Sequence, residues 1–326
     1  MDTFGRVATD LRVSLTDKCN LRCTYCMPAE GLEWLPAPEL LTDDEIVRLV
    51  SVAVGLGVTE VRFTGGEPLL RRGFVGIVEG VGALLPRPRM SVTTNGIGLA
   101  RIASSLAAAG LDRVNVSLDT LDRDRFKAIA RRDRLADVLA GLAAAEAVGL
   151  TPVKVNAVLT RGVNDVEAVP LLRFALDHGY HLRFIEAMPL DAQHGWTREQ
   201  MVTADEILAR LGEDFTLTAM PDGDRGSAPA EEWLVDGGPA TVGVIGSVTR
   251  PFCGACDRVR LTADGQLRNC LFAREESDLR SAMRAGATDE DLATRMQLAM
   301  MTKRAGHGID DPTFLQPDRP MSAIGG

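Results

Sequence analysis

The sequence predicts an α/β protein built on a mostly parallel sheet. Three observations carry that prediction. Short β-branched runs alternate with helical patterns from residue 11 to about 187, the helical stretches are long enough to be crossovers, and residues of special chemistry recur just after the β-runs. Alternation of this kind implies parallel strands joined by right-handed connections.

The elements follow in order. LRVSL (11–15) reads as a strand leading into a cysteine loop, and TDDEIVRLVSVAVGLG (42–57) as a helix. Thr42 and Glu45 form a capping box there, and Ile46, Leu49, Val50 and Ala53 keep helical spacing. TEVRFTGG (59–66), RMSVTTNG (89–96), DRVNVSLD (112–119), TPVKVNAVLT (151–160) and HLRFIEAM (181–188) read as further strands. Helical patterns at 73–85, 98–110, 134–149 and 163–179 separate them, making six βα units. These fit an open doubly wound sheet or a partial barrel, and periodicity does not choose between them. In both, ligands bind at the C-terminal ends of the strands. The cysteine loop, GGEP, TTNG and Ser117-Leu118-Asp119 fall at those ends.

After about residue 190 the rhythm is lost. Residues 213–250 are turn-rich and read as irregular or antiparallel. RVRLTADGQLRNC (258–270) reads as a hairpin turning at Asp264-Gly265, and TDEDLATRMQLAMM (288–301) as a helix. DPTFLQPDRPMSAIGG promises no regular structure. No low-complexity linker interrupts the chain, so a division into 1–212 and 213–326 is expected, the second part packed on the first.

The 326 residues are 45% hydrophobic and 25% charged, an ordinary globular balance. Lys and Arg number 36 against 45 Asp and Glu, a net charge of −9. That argues against a nucleic-acid-coating protein, while leaving room for one local basic pocket. The first residues lack the apolar run of a signal peptide, and no segment reaches transmembrane length. The expectation is a cytoplasmic protein with reduced thiols.

Six cysteines fall into two sets of three: Cys19, Cys23 and Cys26 as C-x3-C-x2-C, and Cys253, Cys256 and Cys270 as C-x2-C-x13-C. Thiolates bind soft metals and Fe–S clusters. A structural zinc site wants four protein ligands, and His178, His181, His194 and His307 are all distant from the first set. Three cysteines on one loop can hold three irons of a [4Fe–4S] cube and leave the fourth open. A zinc knuckle completed from afar is the alternative for the first set, and half a zinc ribbon for the second. Arg258 and Arg260, two apart on a strand, share a face. Two guanidiniums there suit an anionic substrate, although a solvated hairpin face would read the same. Arg12, Arg62, Thr94 and Lys154 could point into the same cavity.

C-x3-C-x2-C with Tyr25 before the last cysteine, followed by TGGEP (64–68), resembles the radical SAM superfamily. LRVSLTDKCNLRCTYCMP, VRFTGGEPLLRR, VTTNG, NVSLD, VKVNAV, LRFIEAMP, FCGACDRVRLTADGQLRNCLF and Gly325-Gly326 together resemble its GTP 3′,8-cyclase family, of molybdenum cofactor biosynthesis. The resemblance runs through nearly the whole chain; only about 190–250 is too generic to contribute. It implies a partial (β/α)6 TIM-like barrel of radical SAM type with a C-terminal α+β extension carrying a second Fe–S cluster. It implies two [4Fe–4S] clusters, on Cys19, Cys23 and Cys26 and on Cys253, Cys256 and Cys270, together with S-adenosyl-L-methionine (SAM). Tyr25, Gly66, Ser117 and Met188 match SAM-binding positions. Arg12, Arg62, Thr94, Lys154, Arg258, Val259 and Arg260 match GTP-binding positions. No side chain is assigned as catalytic, because the radical is carried by the cofactor: a deoxyadenosyl radical takes hydrogen from ribose C3′ of GTP, and the carbon radical attacks guanine C8. A reductant, a downstream cyclic pyranopterin monophosphate synthase and a monomeric or homodimeric state are implied, with no nucleic acid or membrane partner. The family's C-terminal tail is thought to reach the active site. The competing readings are a radical SAM peptide maturase with an auxiliary cluster and a non-catalytic metal-binding scaffold.

Overall fold

The computed structural model describes residues 1–221 and 225–325. Six strands run parallel and in chain order: β1 (Asp10–Ser14), β2 (Glu60–Thr64), β3 (Arg89–Thr94), β4 (Arg113–Ser117), β5 (Lys154–Val158) and β6 (His181–Ile185). Helices α1 (Asp43–Gly55), α2 (Phe74–Gly82), α3 (Leu99–Ala108), α4 (Arg123–Ala130), α5 (Leu135–Ala147) and α6 (Ala168–His178) make the connections. The capping box expected at Thr42 and Glu45 is formed at both hydrogen bonds.

The remaining chain does not stay on one side. After α7 (Ala204–Leu211), strands β7 (Leu217–Ala219), β8 (Glu231–Val235) and β9 (Thr241–Ile245) form an antiparallel meander. Its last strand joins β6 in parallel. The chain then crosses to the opposite edge, where β10 (Arg258–Leu261) joins β1 in parallel and turns into β11 (Gln266–Arg268) and β12 (Ser277–Asp278). One sheet of 12 strands results, with the order β12-β11-β10-β1-β2-β3-β4-β5-β6-β9-β8-β7. Among the described residues its two edges do not pair with each other, so the barrel is partial. Helices α8 (Arg280–Arg284) and α9 (Asp289–Met301) cover the β12 side, and a short α10 (Met321–Ile324) turns up in the tail that was expected to be irregular.

The strands alternate strictly. Leu11, Val13, Val61, Phe63, Val92, Val114, Val116, Val155, Leu182 and Phe184 belong to the single large hydrophobic cluster. The intervening positions carry Arg12, Ser14, Arg62, Thr64, Asn115, Asn156 and Arg183. Parallel strands covered on both faces are usually apolar on both. Period-two alternation here means that the inner face is buried yet polar, as a ligand-filled interior requires.

Candidate active site: a cavity between two thiol triads

That inner face lines a cavity of about 330 Å³, and all six cysteines border it. Their placement follows from strand direction. Cys19, Cys23 and Cys26 follow β1, at the C-terminal end of the parallel strands. Cys253 and Cys256 precede β10, which is parallel to β1, so they lie at the opposite end. Cys270 returns to that same end because β11 runs antiparallel to β10.

The two triads have different surroundings. Burial pushes Cys19 up to about 11 and Cys26 up to about 12, and raises Cys23 well above its ordinary value too. At the other end burial also raises the Cys256 thiol, but Arg258 and Lys303 outweigh it and hold the group at about 7. Among the described residues, no group of three or more His, Cys, Asp or Glu side chains is arranged to hold a single metal ion. The donor sets are three thiols each, which fit Fe–S ligation with one iron left open.

The GGEP loop is built against the first triad's loop. The N–H groups of Gly66 and Glu67 donate to the carbonyls of Thr16 and Lys18, each at 2.7 Å. A Cβ on Gly66 would stand 2.3 Å from the Lys18 oxygen, so only glycine allows the two loops to touch. Glu67 is buried. Its carboxylate accepts from Leu69 N at 3.0 Å, Thr94 Oγ1 at 2.7 Å and Asn95 N at 2.7 Å. Burial pushes its pKa up to about 7, even though these bonds pull the other way. Tyr25 donates its hydroxyl to Asp119 at 2.7 Å, and the other oxygen of Asp119 accepts from Val158 N at 2.9 Å. Tyr25, Gly66, Ser117 and Met188 all line the cavity.

The middle of the cavity is cationic. Arg260, Arg12 and Arg62 occupy one register row across β10, β1 and β2. Burial and repulsion from neighbouring arginines lower Arg12 and Arg260 to about 9; burial, then Arg113 and Arg258, lower Arg62 as well. Asp10 sits among Arg12, Arg62, Arg258 and Arg260; burial would raise its carboxyl, but their field holds it below its ordinary value. Its closest approach to Arg62 is 3.8 Å. Arg12 Nε, Arg62 Nε and Arg258 Nη2 are buried without a hydrogen-bond partner. Buried donors without acceptors are costly, and a polyanion in the cavity would supply the acceptors.

Of the residues the sequence singled out, Arg12, Arg62, Thr94, Arg258 and Arg260 line the cavity. Thr94 is engaged with Glu67, as a link between the two halves of the site. Lys154 is on the same face of β5 as Asn156 but is not among the residues lining the cavity; burial first, then Arg183 and Arg113, lower it to about 8. Val259 alternates to the other face of β10 and packs in the hydrophobic cluster. Sequence reasoning missed Arg183, which lines the cavity and is held by Asn156 Oδ1 at 3.0 Å and Asn115 Oδ1 at 2.9 Å. It occupies in HLRFI the same alternating position as Arg12 in DLRVS and Arg62 in EVRFT, and that pattern could have found it. Lys303, buried beside Cys256, was missed as well.

The tail reaches this interior. Met321 and Ser322 line the cavity, and Arg260 donates to the Gly325 carbonyl. Gly325 has φ +87°, and a Cβ there would lie 2.2 Å from Ser14 Oγ. Gly326 lies outside the described residues.

Comparison with known proteins agrees with this architecture. A family model described as the Radical SAM superfamily matches residues 13–175, and one described as Molybdenum Cofactor Synthesis C matches residues 180–309. A GTP 3′,8-cyclase of Streptomyces coelicolor is 71% identical over 100% of this chain and 96% of the relative. A GTP 3′,8-cyclase of Mycobacterium sp. (strain KMS) is 65% identical, covering 100% and 93%. Among solved structures, Streptococcus suis SuiB bound to S-adenosylmethionine shares the fold with a TM-score of 0.57 at 16% identity; the match covers 84% of this chain and 63% of that one. With two family models covering sheet and extension, and close relatives matched along its whole length, the chain belongs to the GTP 3′,8-cyclase family of the radical SAM superfamily.

Proposed function

We propose that this chain is a radical SAM lyase that cyclises GTP, joining ribose C3′ to guanine C8 to give (8S)-3′,8-cyclo-7,8-dihydroguanosine 5′-triphosphate. One observation carries the reading: two three-thiol sets face each other through one cavity, with a row of arginines between them. Cys19, Cys23 and Cys26 would hold the cluster that works with SAM, and Cys253, Cys256 and Cys270 a second [4Fe–4S] cluster. When bound, these groups supply a low-potential electron, a deoxyadenosyl radical and an open iron for the base.

The chain's own residues bind, orient and seal. Arg12, Arg62, Arg258 and Arg260 supply the planar donors that a triphosphate accepts, with Thr94, Lys154 and the backbone at Val259 completing the substrate set. Tyr25, fixed by Asp119, and Gly66, Ser117 and Met188 form the SAM pocket. Glu67 offers a carboxylate for the ammonium of SAM. Holding substrate and cofactor in one pose removes orientational freedom from the hydrogen transfer. Met321 and Ser322 close one wall and keep water from reactive carbon centres.

Among the described residues no helix is long and apolar enough to cross a membrane. We assign the protein to the cytoplasm, as a monomer or homodimer fed by a separate reductant. A cyclic pyranopterin monophosphate synthase would take up its product. Residues 1–212 and 213–326 serve as the SAM part and the second-cluster part.

The test is anaerobic reconstitution with iron and sulfide, then addition of SAM, a strong reductant and each nucleoside triphosphate in turn. Roughly eight irons per chain, and deoxyadenosine plus a cyclised nucleotide with GTP alone, are expected. SAM cleavage without nucleotide consumption would remove the substrate assignment, and roughly four irons would remove the second cluster.

A further inference from the structure

Lys303 follows α9 and is 3% exposed. Its ammonium donates to the Arg258 carbonyl at 2.8 Å and lies 3.5 Å from Cys256 Sγ. Burying an ammonium is expensive unless a partner balances it. The carbonyl is neutral, so the sulfur is the group whose charge can do so. Neighbouring groups brace the arrangement. Arg6 donates to the Cys253 carbonyl at 2.7 Å and to the Arg304 carbonyl at 2.7 Å, tying the cysteine loop to the segment that carries Lys303. The Arg258 guanidinium stands 4.7 Å from the Phe252 ring centre.

The first triad has a cation nearby but none on its sulfurs: Arg22 donates to the Cys19 carbonyl at 2.8 Å, and its field only partly offsets the burial that raises that thiol. Among the described residues, no lysine or arginine nitrogen donates to the sulfur of Cys19, Cys23 or Cys26. Near Cys19 Sγ the side-chain donor is the neutral amide of Asn95, at 4.0 Å. Close to Cys23 and Cys26 stands the carboxyl of Asp119.

Hydrogen bonds to ligating sulfur and nearby positive charge raise the reduction potential of an Fe–S cluster. Reduction adds one electron, and so one negative charge, to the cluster and its thiolates. A fixed ammonium at Cys256 favours that charge. We propose that Lys303 is a positioning residue for the second cluster: by donating to Cys256 Sγ it raises that cluster's reduction potential above that of the cluster at the first triad. This rests on the reading that the second triad holds a cluster. Its consequence is an order of filling. A one-electron donor reduces the second cluster at milder potential, and a cluster already reduced does not draw the next electron away from the SAM end.

The experiment uses the full chain with Cys19, Cys23 and Cys26 all replaced by Ala, so that only the second cluster is read. Iron and sulfide are counted after reconstitution, and the cluster is titrated by EPR at fixed dye-mediated potentials. The K303M and K303Q variants are expected to lower the reduced-to-oxidised ratio at a given potential about tenfold, or ~59 mV for one electron. K303R, which keeps the cation, is expected to titrate like the parent. An unchanged potential in K303M or K303Q with full iron content overturns the proposal, as does a shift in K303R as large as in K303M. If K303M and K303Q hold no iron while K303R does, Lys303 serves cluster retention and the tuning role is overturned. Absence of iron in the parent with an intact second triad would instead remove the second-cluster reading itself. In the otherwise unaltered chain, the second cluster's EPR signal should appear at milder potential than the first; the reverse order also overturns the proposal.

Discussion

Arg319 holds Asp264 with two nitrogens, Nη1 to Oδ1 at 3.0 Å and Nη2 to Oδ2 at 2.8 Å. Its Nε lies 2.9 Å from Glu276, so one guanidinium ties the tail to the turn of the β10–β11 hairpin and to the loop beyond it. Gln316 and Met321 add bonds to Asp191 and Leu190, each through a backbone carbonyl. A bidentate pair of this kind, half-buried, makes Arg319 a main anchor of the tail. Replacing Arg319 with Ala is expected to speed proteolysis within 316–325 roughly tenfold, about 1.4 kcal/mol of docking. Turnover should fall with it while the iron content of both triads stays constant. Unchanged proteolysis would show that the tail is held elsewhere.

The arginine row sets binding against stability. Neighbours in the buried row of Arg260, Arg12 and Arg62 repel one another, and two donors there, Arg12 Nε and Arg62 Nε, are unmet. Arg260→Met should therefore raise the melting temperature of the metal-free protein. Its GTP affinity should fall by about 100-fold, near 2.7 kcal/mol, as for the loss of a charge-assisted contact. In the parent, triphosphate at 100 times its dissociation constant should stabilise by about 2.7 kcal/mol. Scanning calorimetry with and without nucleotide reads both. A destabilised metal-free Arg260→Met would contradict the account.

Glu67 supplies a pH dependence. Its folded pKa of about 7 lies above the ordinary carboxyl value of 4.5. Between these two values the native state holds a proton that the unfolded chain has lost. The group's contribution therefore falls as pH rises from 4.5 to about 7 and is level above that. A ligand ammonium beside Glu67 would lower its pKa again, so SAM binding at pH 7 to the iron-loaded chain should release protons. Lys154, lowered to about 8, predicts the opposite for a polyanion: GTP binding near pH 8 should take up protons. Calorimetry in buffers of different ionisation enthalpy measures both. E67Q should abolish the release with SAM and leave the uptake with GTP intact.

Gly66→Ala tests the contact between loops. The added Cβ would press on the carbonyls of Asp17 and Lys18, at 2.4 and 2.3 Å, both backbone atoms that cannot swing away. Overpacking of this kind costs about 1–3 kcal/mol. The strain falls on the first triad's loop, so iron at that end and SAM affinity should drop while the second triad keeps its iron. Equal loss at both ends would point to general unfolding.

Much of this was legible in the sequence. Five of the six parallel strands fall within the predicted stretches, because each has a β-branched core and a turn signal on both sides, and β1 starts one residue early, at Asp10. The Asp264-Gly265 turn and the helix from Asp289 declared themselves by local chemistry. Helix α4 did not, because RDRFKAIA buries only Phe126, Ile129 and Ala130 and reads as a charged loop. Helix α7 carries a capping box at Thr203 and Glu206 that could have announced it. What no local signal contains is where β9 and β10 insert. Each pairs with a strand distant in sequence, and only that pairing reveals that residues 213–325 extend both edges of the sheet. The cysteines, Arg12, Arg62 and Arg260 could be found from spacing and alternation. Lys303 could not, because a lysine after an amphipathic helix is ordinarily a solvated one.

β1 and β10 are locked side by side, Asp10 opposite Arg258 through Val13 opposite Leu261. One thiol set hangs from the far end of the first strand and the other from the near end of the second. A strand of five residues spans roughly 16 Å. The interval between the two thiol-bearing loops is thus a gauge cut in backbone, and a molecule that bridges them must match it. Lengthening both strands by a dipeptide would widen the interval by about 7 Å and leave every side chain on its proper face. Such a chain would keep both thiol sets and all its arginines, yet a single nucleotide would no longer reach from one end to the other.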